Sequence, residues 1–232
     1  MGPDTDAHPG ALGVIVAARN EGDRIAATLA ALREAFPGAA VWVADDASTD
    51  RTAELALSGG AELVSRGRPH GKGANVTAAA EAALGHDPAP AMVLLCDADL
   101  GDSAAQLPRL VEAVREGECD LAVAVFEQRV GGGFGVALGF ARWAIRRLCG
   151  AEPRAPISGQ RALHAEVLRA TLPFADGFGM ELGMTVDAVR AGYRLGEYEL
   201  PVEHRASGRT LAGFAHRGRQ LRDIARAYLA RR

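Results

Sequence analysis

The first half of this 232-residue chain alternates short apolar, β-branched segments with segments of helical spacing, and this alternation constrains the fold more than any other feature. The pattern predicts an α/β fold with a mostly parallel sheet and helices on both faces. In sheets of this kind, ligands bind at the carboxyl ends of the strands. Strands are predicted at residues 12–18, 41–44, 62–65, 92–96 and 121–126, and helices at 21–35, near Asp50, at 73–84 and at 107–115.

The second half of the chain is less regular. Helical spacing predicts helices at 136–148, 179–191 and 214–229, and residues 194–202 have the pattern of an extended segment. There are no internal repeats and no long linker, so we expect a single domain over residues 11–232. Residues 1–10 are polar and rich in proline and glycine without a basic segment, which indicates a disordered leader rather than a signal peptide.

Composition excludes several classes of protein. The chain is 48% hydrophobic and 24% charged, as is typical of globular proteins, and its formal net charge of -3 argues against a dedicated nucleic-acid binder. No apolar run reaches the roughly 20 residues of a membrane-spanning helix. Cys96, Cys119 and Cys149 are widely spaced, which favours reduced thiols in a cytoplasmic protein.

The strongest chemical signal is the Asp97-Ala98-Asp99 triplet, which directly follows the most apolar predicted strand. Two carboxylates this close repel each other unless a cation lies between them. Oxygen ligands beside a diphosphate favour Mg²⁺ or Mn²⁺. The triplet alone is weak evidence, since about one arises by chance in a chain this long. Its position at a strand end makes it a candidate metal and nucleotide site.

Other strand ends also suit a nucleotide. Ala17 and Ala18 are small enough to let a planar base approach the backbone, and Asp46 can accept a hydrogen bond from a base. A helix cap is an equally good interpretation of Asp46. Gly71 and Lys72 come just before a predicted helix, where free N–H groups and a lysine charge can bind an anion. A solvated loop lysine is the alternative.

Eight segments of the chain together carry a family resemblance. Four lie in the first half, Ala17-Ala18-Arg19-Asn20-Glu21, Asp45-Asp46-Ala47-Ser48-Thr49-Asp50, Gly71-Lys72-Gly73 and Asp97-Ala98-Asp99, and four in the second, Ile157-Ser158-Gly159-Gln160, Leu172-Pro173-Phe174, Gly177-Phe178-Gly179-Met180-Glu181-Leu182-Gly183 and His204-Arg205. The first four resemble, in order and spacing, the family 2-like glycosyltransferases of the GT-A type, and the second four are similar to the glucosyl-3-phosphoglycerate synthases within that group. The resemblance implies a GT-A fold with a nucleotide-sugar half, residues 11–126, and an acceptor half, residues 127–232, that includes a basic C-terminal helix.

The resemblance also implies roles for individual residues. Asp99, Glu181 and Lys72 would be catalytic, and Asp97, Asp99 and His204 would bind the metal. Without the resemblance, His204 has the pattern of an exposed loop histidine and Glu181 that of an acid favoured at a helix N-terminus. The donor would contact Ala17, Ala18, Glu21, Asp46, Gly71, Lys72, Asp97, Phe178 and Glu181, and the acceptor Gly133, Phe134, Ser158, Gly159 and Arg205.

One departure from the synthases concerns the acceptor. Phe134 stands where they have an arginine, and Ala206 where they have an asparagine. A neutral aromatic ring cannot form the bidentate contact that arginine makes with phosphate or carboxylate. The resemblance implies a metal-dependent transfer of glucose from UDP-glucose with retention, and the departure at Phe134 and Ala206 predicts a small anionic acceptor other than 3-phosphoglycerate. GDP-mannose stays open as a donor, as does inversion with Glu181 as general base.

Two other functions stay open. One is a polyprenyl-phosphate glycosyltransferase at the membrane surface, which would use the arginine-rich end of the chain on anionic lipid. The other is a non-catalytic nucleotide-sugar binding protein on the same fold. For the segment 214–232 we expect subunit packing in a homodimer, because arginine is enriched and lysine depleted at protein interfaces. Packing back on its own domain is the alternative for the apolar residues Leu221, Ile224, Ala225, Tyr228 and Leu229.

Overall fold

The computed structural model describes residues 11–126, 135–201 and 211–232, and in the last range it describes side chains from residue 218 onward. The described residues form one seven-stranded sheet flanked by helices. Its strands are β1 Leu12–Ala18, β2 Ala40–Asp45, β3 Glu62–Ser65, β4 Met92–Asp97, β5 Leu121–Phe126, β6 Arg161–His164 and β7 Leu195–Leu200. The helices are α1 Ile25–Ala35, α2 Thr52–Ser58, α3 Lys72–Leu84, α4 Pro108–Arg115, α5 Gly135–Cys149, α6 Ala165–Thr171, α7 Met180–Arg190 and α8 Leu211–Ala230.

The order of the strands across the sheet is β3-β2-β1-β4-β6-β5-β7. β6 runs antiparallel to both β4 and β5, and the other neighbouring pairs are parallel. Both faces of β1 are buried, since Val14 and Val16 lie in one core cluster and Ile15 lies in the other. Burial on both faces explains why this strand is continuously apolar. The predicted α/β fold with a mostly parallel sheet is confirmed.

The element boundaries differ from the sequence prediction at one informative place. The helix predicted from residue 21 begins only at Ile25. Asn20 has a positive φ of 55°, and the Arg24 N–H donates to the Glu21 carbonyl to close a turn. Asparagine tolerates this left-handed conformation better than most residues. The chain therefore leaves β1 through a tight loop before α1 begins.

β6 and α6 are absent from the elements predicted from the sequence. β6 is only four residues long, Arg161–His164, and it begins with an arginine and ends with a histidine. Such a short segment lacks the apolar run of a buried strand. It is nevertheless inserted between β4 and β5, where it joins the two parts of the sheet.

The C-terminal helix α8 packs on its own domain. Ile224 and Ala227 are buried in a cluster with side chains of α5 and α7. A Cβ on Gly179 would lie 2.8 Å from both the Ala227 Cβ and the Asp223 carbonyl, so only glycine allows this approach. Leu221 and Leu229, expected in the same stripe, are 36% and 64% exposed. The buried side of α8 thus packs on α5 and α7 of its own domain, as in the alternative interpretation. The homodimer stays a prediction.

No helix within the described ranges is long and apolar enough to cross a membrane. The predicted disordered leader, residues 1–10, lies outside the described residues.

Candidate active site

The predicted loops meet at the carboxyl edge of the sheet. Ala17 on β1 is paired with Asp97 on β4, and Ala18 is paired with Asp45 on β2. The loops that follow these three parallel strands therefore start side by side. Helix α1 holds the backbone of the loop that follows β4, because the Thr28 hydroxyl donates a hydrogen bond to the Ala98 carbonyl over 2.8 Å.

Lys72 joins this edge to the second half of the chain. Its Nζ lies 2.6 Å from Asp97 Oδ1 and 2.8 Å from Glu181 Oε1. Glu181 lies in the first turn of α7 and is almost fully buried. Burial by itself would lower the pKa of Lys72, but the attraction and hydrogen bonds of the two carboxylates outweigh it and raise the pKa. Lys72 is therefore a fixed positive charge shared between the two halves.

A loop just before β6 completes this cluster. Gln160 Nε2 donates to Asp97 Oδ2 over 2.9 Å, and the Ser158 hydroxyl donates to Gln160 Oε1 over 3.2 Å. A Cβ on Gly159 would lie 2.5 Å from Asp97 Oδ2 and 2.6 Å from Lys72 Nζ. Any side chain at position 159 would therefore collide with the ion pair. Both carboxylate oxygens of Asp97 are positioned by hydrogen bonds.

Arg161 supports this loop from inside the protein, and the sequence analysis missed it. Its guanidinium is fully buried and donates to the Ser158 carbonyl over 2.8 Å and to Thr185 Oγ1 over 2.9 Å. Burial lowers the pKa of Arg161 to about 10, against the opposing attraction of Glu181. No sequence signal could have separated this arginine from the exposed ones, because its burial depends on β6 lying between β4 and β5.

Asp46 lies at the end of β2 and ties down the lysine loop. Its Oδ1 accepts hydrogen bonds from the backbone N–H groups of His70 (2.7 Å) and Gly71 (3.1 Å) and from Asn75 Nδ2 (2.5 Å). Arg19 Nη1 forms an ion pair with the other oxygen at 2.9 Å. Asp46 therefore fixes the start of α3, where Gly71 adopts a positive φ of 85°. The alternative interpretation, in which Asp46 caps the next helix along the chain, is wrong, because α2 has no side-chain cap and Asp46 instead fixes the start of α3.

The loops after β1 and β2 are joined to each other. The Asn20 N–H donates to the Ser48 hydroxyl over 2.9 Å, and the Thr49 N–H donates back to Asn20 Oδ1 over 2.8 Å. The Glu21 N–H donates to Thr52 Oγ1 over 2.8 Å. These bonds hold Glu21 beside the loop that carries Asp46.

Phe178 lies in a short 3₁₀ turn, Gly177–Gly179, immediately before α7. Its N–H lies 3.4 Å from Asp223 Oδ2 of α8, so the C-terminal helix supports the turn that leads to Glu181.

The structure thus brings Lys72, Asp97, Gly159 and Glu181 into one contact cluster, with Ser158 behind it. Asp99 follows Asp97 by two residues, and its carbonyl accepts a hydrogen bond from Arg24 over 3.1 Å. The candidate acceptor residues Gly133, Phe134 and Arg205, and the candidate metal ligand His204, lie outside the described residues, as does Ala206.

Comparison with known proteins identifies the family. Residues 13–150, more than half of the chain, match the family described as glycosyl transferase family 2. The chain belongs to glycosyl transferase family 2. The predicted resemblance and the predicted class of enzyme, a glycosyltransferase, are confirmed.

Two curated relatives match nearly the whole chain. An undecaprenyl-phosphate mannosyltransferase from Micrococcus luteus is 30% identical, with 94% of each chain covered. A dolichyl-phosphate hexose transferase from Haloferax volcanii is 28% identical, with 88% of each chain covered. Both of these relatives are thus named for polyprenyl phosphates.

Solved structures similar to this chain include an enzyme with a different name. Glucosyl-3-phosphoglycerate synthase from Mycobacterium tuberculosis, in complex with phosphoglyceric acid, is 26% identical, with a TM-score of 0.78. The match covers 96% of this chain and 80% of the synthase chain. The same synthase has been solved with Mn²⁺, uridine diphosphate and glucosyl-3-phosphoglycerate, and with Mg²⁺ and uridine diphosphate, again at a TM-score of 0.78. The predicted GT-A fold is confirmed, and relatives of this fold hold a divalent metal.

The residues at the strand ends fit a divalent cation. Asp97 and Asp99 supply hard oxygen ligands, the type that Mg²⁺ and Mn²⁺ prefer. The Asp97 side chain remains 32% exposed at this edge. Within the described part of the chain, no group of three or more His, Cys, Asp or Glu side chains could hold a metal by itself. Further ligands would have to come from the substrate or from residues outside the described ranges.

Proposed function

We propose that this protein is a metal-dependent hexosyltransferase that moves a sugar from a nucleotide-sugar donor to a polyprenyl monophosphate at a membrane surface. The observation that carries the donor half of the proposal is the Lys72 ammonium between Asp97 and Glu181 at the carboxyl edge. In this proposal residues 11–126 bind the donor and residues 127–232 bind the acceptor.

The acceptor class is supported by the two curated relatives, which are both named for polyprenyl phosphates and both match at least 88% of the chain. It is also supported by Phe134 and Ala206, which lack the polar groups expected for 3-phosphoglycerate. This acceptor differs from the small one that we expected from the sequence alone.

The chain's own residues would act on charge and orientation. Lys72 lies where it can attract the diphosphate that leaves, and such fixed charge is worth most at the point where negative charge develops. A metal held by Asp97 and Asp99, with His204 as the expected third ligand, would supply further positive charge to the leaving diphosphate. Glu181 would orient the sugar hydroxyls, and Asp46 would hold the lysine loop in position.

The donor and the stereochemistry remain parts of the proposal to be tested separately. UDP-glucose is the donor expected from the resemblance, and the mannosyltransferase relative makes GDP-mannose the first alternative. Retention stays a prediction from the resemblance. The one-bond C1–H1 coupling constant of the product distinguishes the anomers for glucose and mannose alike, and an inverted product would favour Glu181 as a general base.

The proposal is tested with purified protein, Mn²⁺, a panel of labelled nucleotide sugars and undecaprenyl phosphate dispersed in detergent. We expect label to enter the organic phase with one donor and chelator to abolish the transfer. Absence of lipid-linked label with every donor would overturn the acceptor assignment.

A second candidate is transfer to a small phosphorylated acid. It is supported by the structural match to the mycobacterial synthase at a TM-score of 0.78. The same assay tests it when 3-phosphoglycerate replaces the lipid and the aqueous phase is analysed.

A further inference from the structure

Two helices next to the candidate site expose an apolar, aromatic surface. We name the interfacial patch the side chains of Val136, Phe140 and Trp143 on α5 with Leu221 and Tyr228 on α8. Val136 is 75% exposed and Trp143 is 44% exposed. The Trp143 ring is stacked on Phe140 at a centroid distance of 5.5 Å and lies 5.1 Å from the Tyr228 ring. Phe140 and Tyr228 pack in turn on the core, so the patch is a built surface.

The patch lies on one strip of each helix. Val136, Phe140 and Trp143 are spaced at i, i+4 and i+7 along α5, and Leu221 and Tyr228 are separated by two turns of α8. In the sequence, α8 alone has no tryptophan and a single phenylalanine, Phe214 near its start, whereas a membrane-surface helix usually carries a broader bulky face. In the fold, Phe140 and Trp143 of α5 lie beside Tyr228 of α8 and add aromatic rings to this surface.

The charged side chains of the two helices are almost all positive. α5 contains no acidic residue, and α8 contains only Asp223, on a chain whose formal net charge is -3. Arg146 and Arg147 are exposed in the last turn of α5, and Arg222 and Arg226 are exposed on α8. Arg146 Nη1 lies 3.6 Å from Glu152 Oε1, and Arg222 Nη2 lies 3.1 Å from Asp223 Oδ1. The side chains of both arginines remain more than half exposed. The basic residues of the two helices are Arg142, Arg146, Arg147, Arg217, Arg219, Arg222 and Arg226.

The patch is close to the carboxyl edge of the sheet. β5 is parallel to β4, because both are antiparallel to β6, so β5 ends at the same edge as Asp97. α5 is the next described element after β5. On α8, Asp223 reaches the Phe178 N–H just ahead of Glu181. A surface that contacts the patch would therefore lie beside the candidate site.

We propose that the interfacial patch docks this protein on the surface of a bilayer that contains anionic lipid. Tryptophan and tyrosine favour the headgroup region, and arginines beside an apolar face add attraction to anionic lipid. This inference rests on the proposed function for its purpose, since a docked protein would present its site to a polyprenyl phosphate. The binding itself is measured without any substrate.

The experiment is flotation of the full chain with vesicles of phosphatidylcholine alone and of phosphatidylcholine mixed with phosphatidylglycerol. We expect binding to the mixed vesicles and little binding to the neutral ones. The double substitution Trp143→Ser with Val136→Ser should weaken partitioning roughly tenfold through lost apolar burial. Arg146→Gln with Arg147→Gln should weaken it by a similar factor on the anionic vesicles alone.

The matched control is Leu57→Ser on α2, an apolar side chain that is 56% exposed far from the patch. It should leave flotation unchanged. Circular dichroism and thermal unfolding of each variant establish that the fold is kept, since all five positions face solvent.

Activity separates this inference from the proposed function. The patch variants should keep turnover on a short-chain, water-soluble isoprenyl phosphate and lose it on undecaprenyl phosphate embedded in anionic vesicles.

Wild-type protein that stays unbound to anionic vesicles, yet transfers sugar to the lipid in detergent, would overturn the docking surface and leave the proposed function standing. Wild-type protein that floats but transfers to neither acceptor would overturn the function alone. A dimer in light scattering that Trp143→Ser converts to a monomer, with no vesicle binding, would assign the patch to a second copy and overturn the inference.

Discussion

Lys72 is held by two carboxylates that come from distant parts of the chain, and its removal leaves both without their cation. We expect Lys72→Met to lower the free energy of unfolding by about 3 kcal/mol, at the low end for a broken buried pair because Asp97 is partly exposed. Urea unfolding measures the change. The control is Arg51→Met, which removes an exposed pair with Glu54 and should cost less than about 1 kcal/mol. Equal losses in the two variants would contradict the assigned ion pair.

The pH dependence of the contribution of Lys72 to stability follows from the direction of its pKa shift. The folded-state pKa of Lys72 is raised, so its contribution is fully present below the unfolded pKa of about 10.4 and is lost only as pH rises through the folded value. The stability difference between wild type and Lys72→Met should therefore stay constant from neutral pH to about pH 10. A stability difference between wild type and Lys72→Met that disappears between neutral pH and about pH 10 would contradict the raised pKa of Lys72.

Gly159 provides a second test at a single residue. Gly159→Ala puts a methyl group 2.5 Å from Asp97 Oδ2, so Asp97 or the loop must move. Misplacement of about 1 Å can cost roughly a hundredfold in rate, and we expect a loss of that order in turnover. Gly218→Ala is the control, since a Cβ there has no neighbour within 4 Å. Wild-type turnover in Gly159→Ala would show that the contact does not matter for catalysis.

At the level of single residues, the sequence pointed to the groups that its motifs contain. Asp97, Gly71 and Lys72 follow predicted strands, and the structure brings Lys72 to Asp97. The partnership of Lys72 with Glu181 and the support from Arg161 could not be predicted. They depend on how α7 and β6 pack on the first half, and no local pattern encodes such long-range contacts.

At the level of elements, β1, β2, β4 and β5 were predictable because each is an apolar run that is mostly buried on the sheet, whereas β3 is a short, partly exposed strand at the edge of the sheet. β6 was not predictable, since a strand that starts with a buried arginine has no local signature and gains its position only from β4 and β5. The apolar stripe of α8 was predicted, but its orientation was not. Ile224 faces the core and Leu229 faces solvent, which depends on where α5 and α7 lie.

The packing of α8 gives a prediction for this element. Ile224→Ala should lower the free energy of unfolding by roughly 2–4 kcal/mol, because the side chain is fully buried between α5 and α7. For a chain of this size that corresponds to a loss of roughly 2–4 °C in Tm per kcal/mol. Leu229→Ala removes an apolar side chain that is 64% exposed and should change Tm little. Equal shifts in differential scanning calorimetry would mean that α8 does not pack as described.

At the level of the whole molecule, binding of the donor should depend on a divalent metal. Nucleotide sugar with Mn²⁺ should raise Tm, since a ligand at a hundred times its Kd stabilises by about 2.7 kcal/mol, and chelator should remove the effect. Asp99→Ala should lose the stabilisation and the turnover but keep its own fold. The control is Asp102→Ala, a nearby exposed carboxylate that should behave as wild type. A metal-independent shift in wild type would contradict a metal role for Asp99.

The central claim is the choice of acceptor, and a competition assay tests it most directly. Protein, Mn²⁺ and a labelled nucleotide sugar that it binds are mixed with undecaprenyl phosphate in detergent and with 3-phosphoglycerate in the same tube. The fraction of label in the organic and aqueous phases is then measured over time. We expect the label to enter the organic phase as a lipid-linked hexose, with no sugar on 3-phosphoglycerate. Rapid formation of a glycosylated 3-phosphoglycerate, with an organic phase free of label, would contradict it.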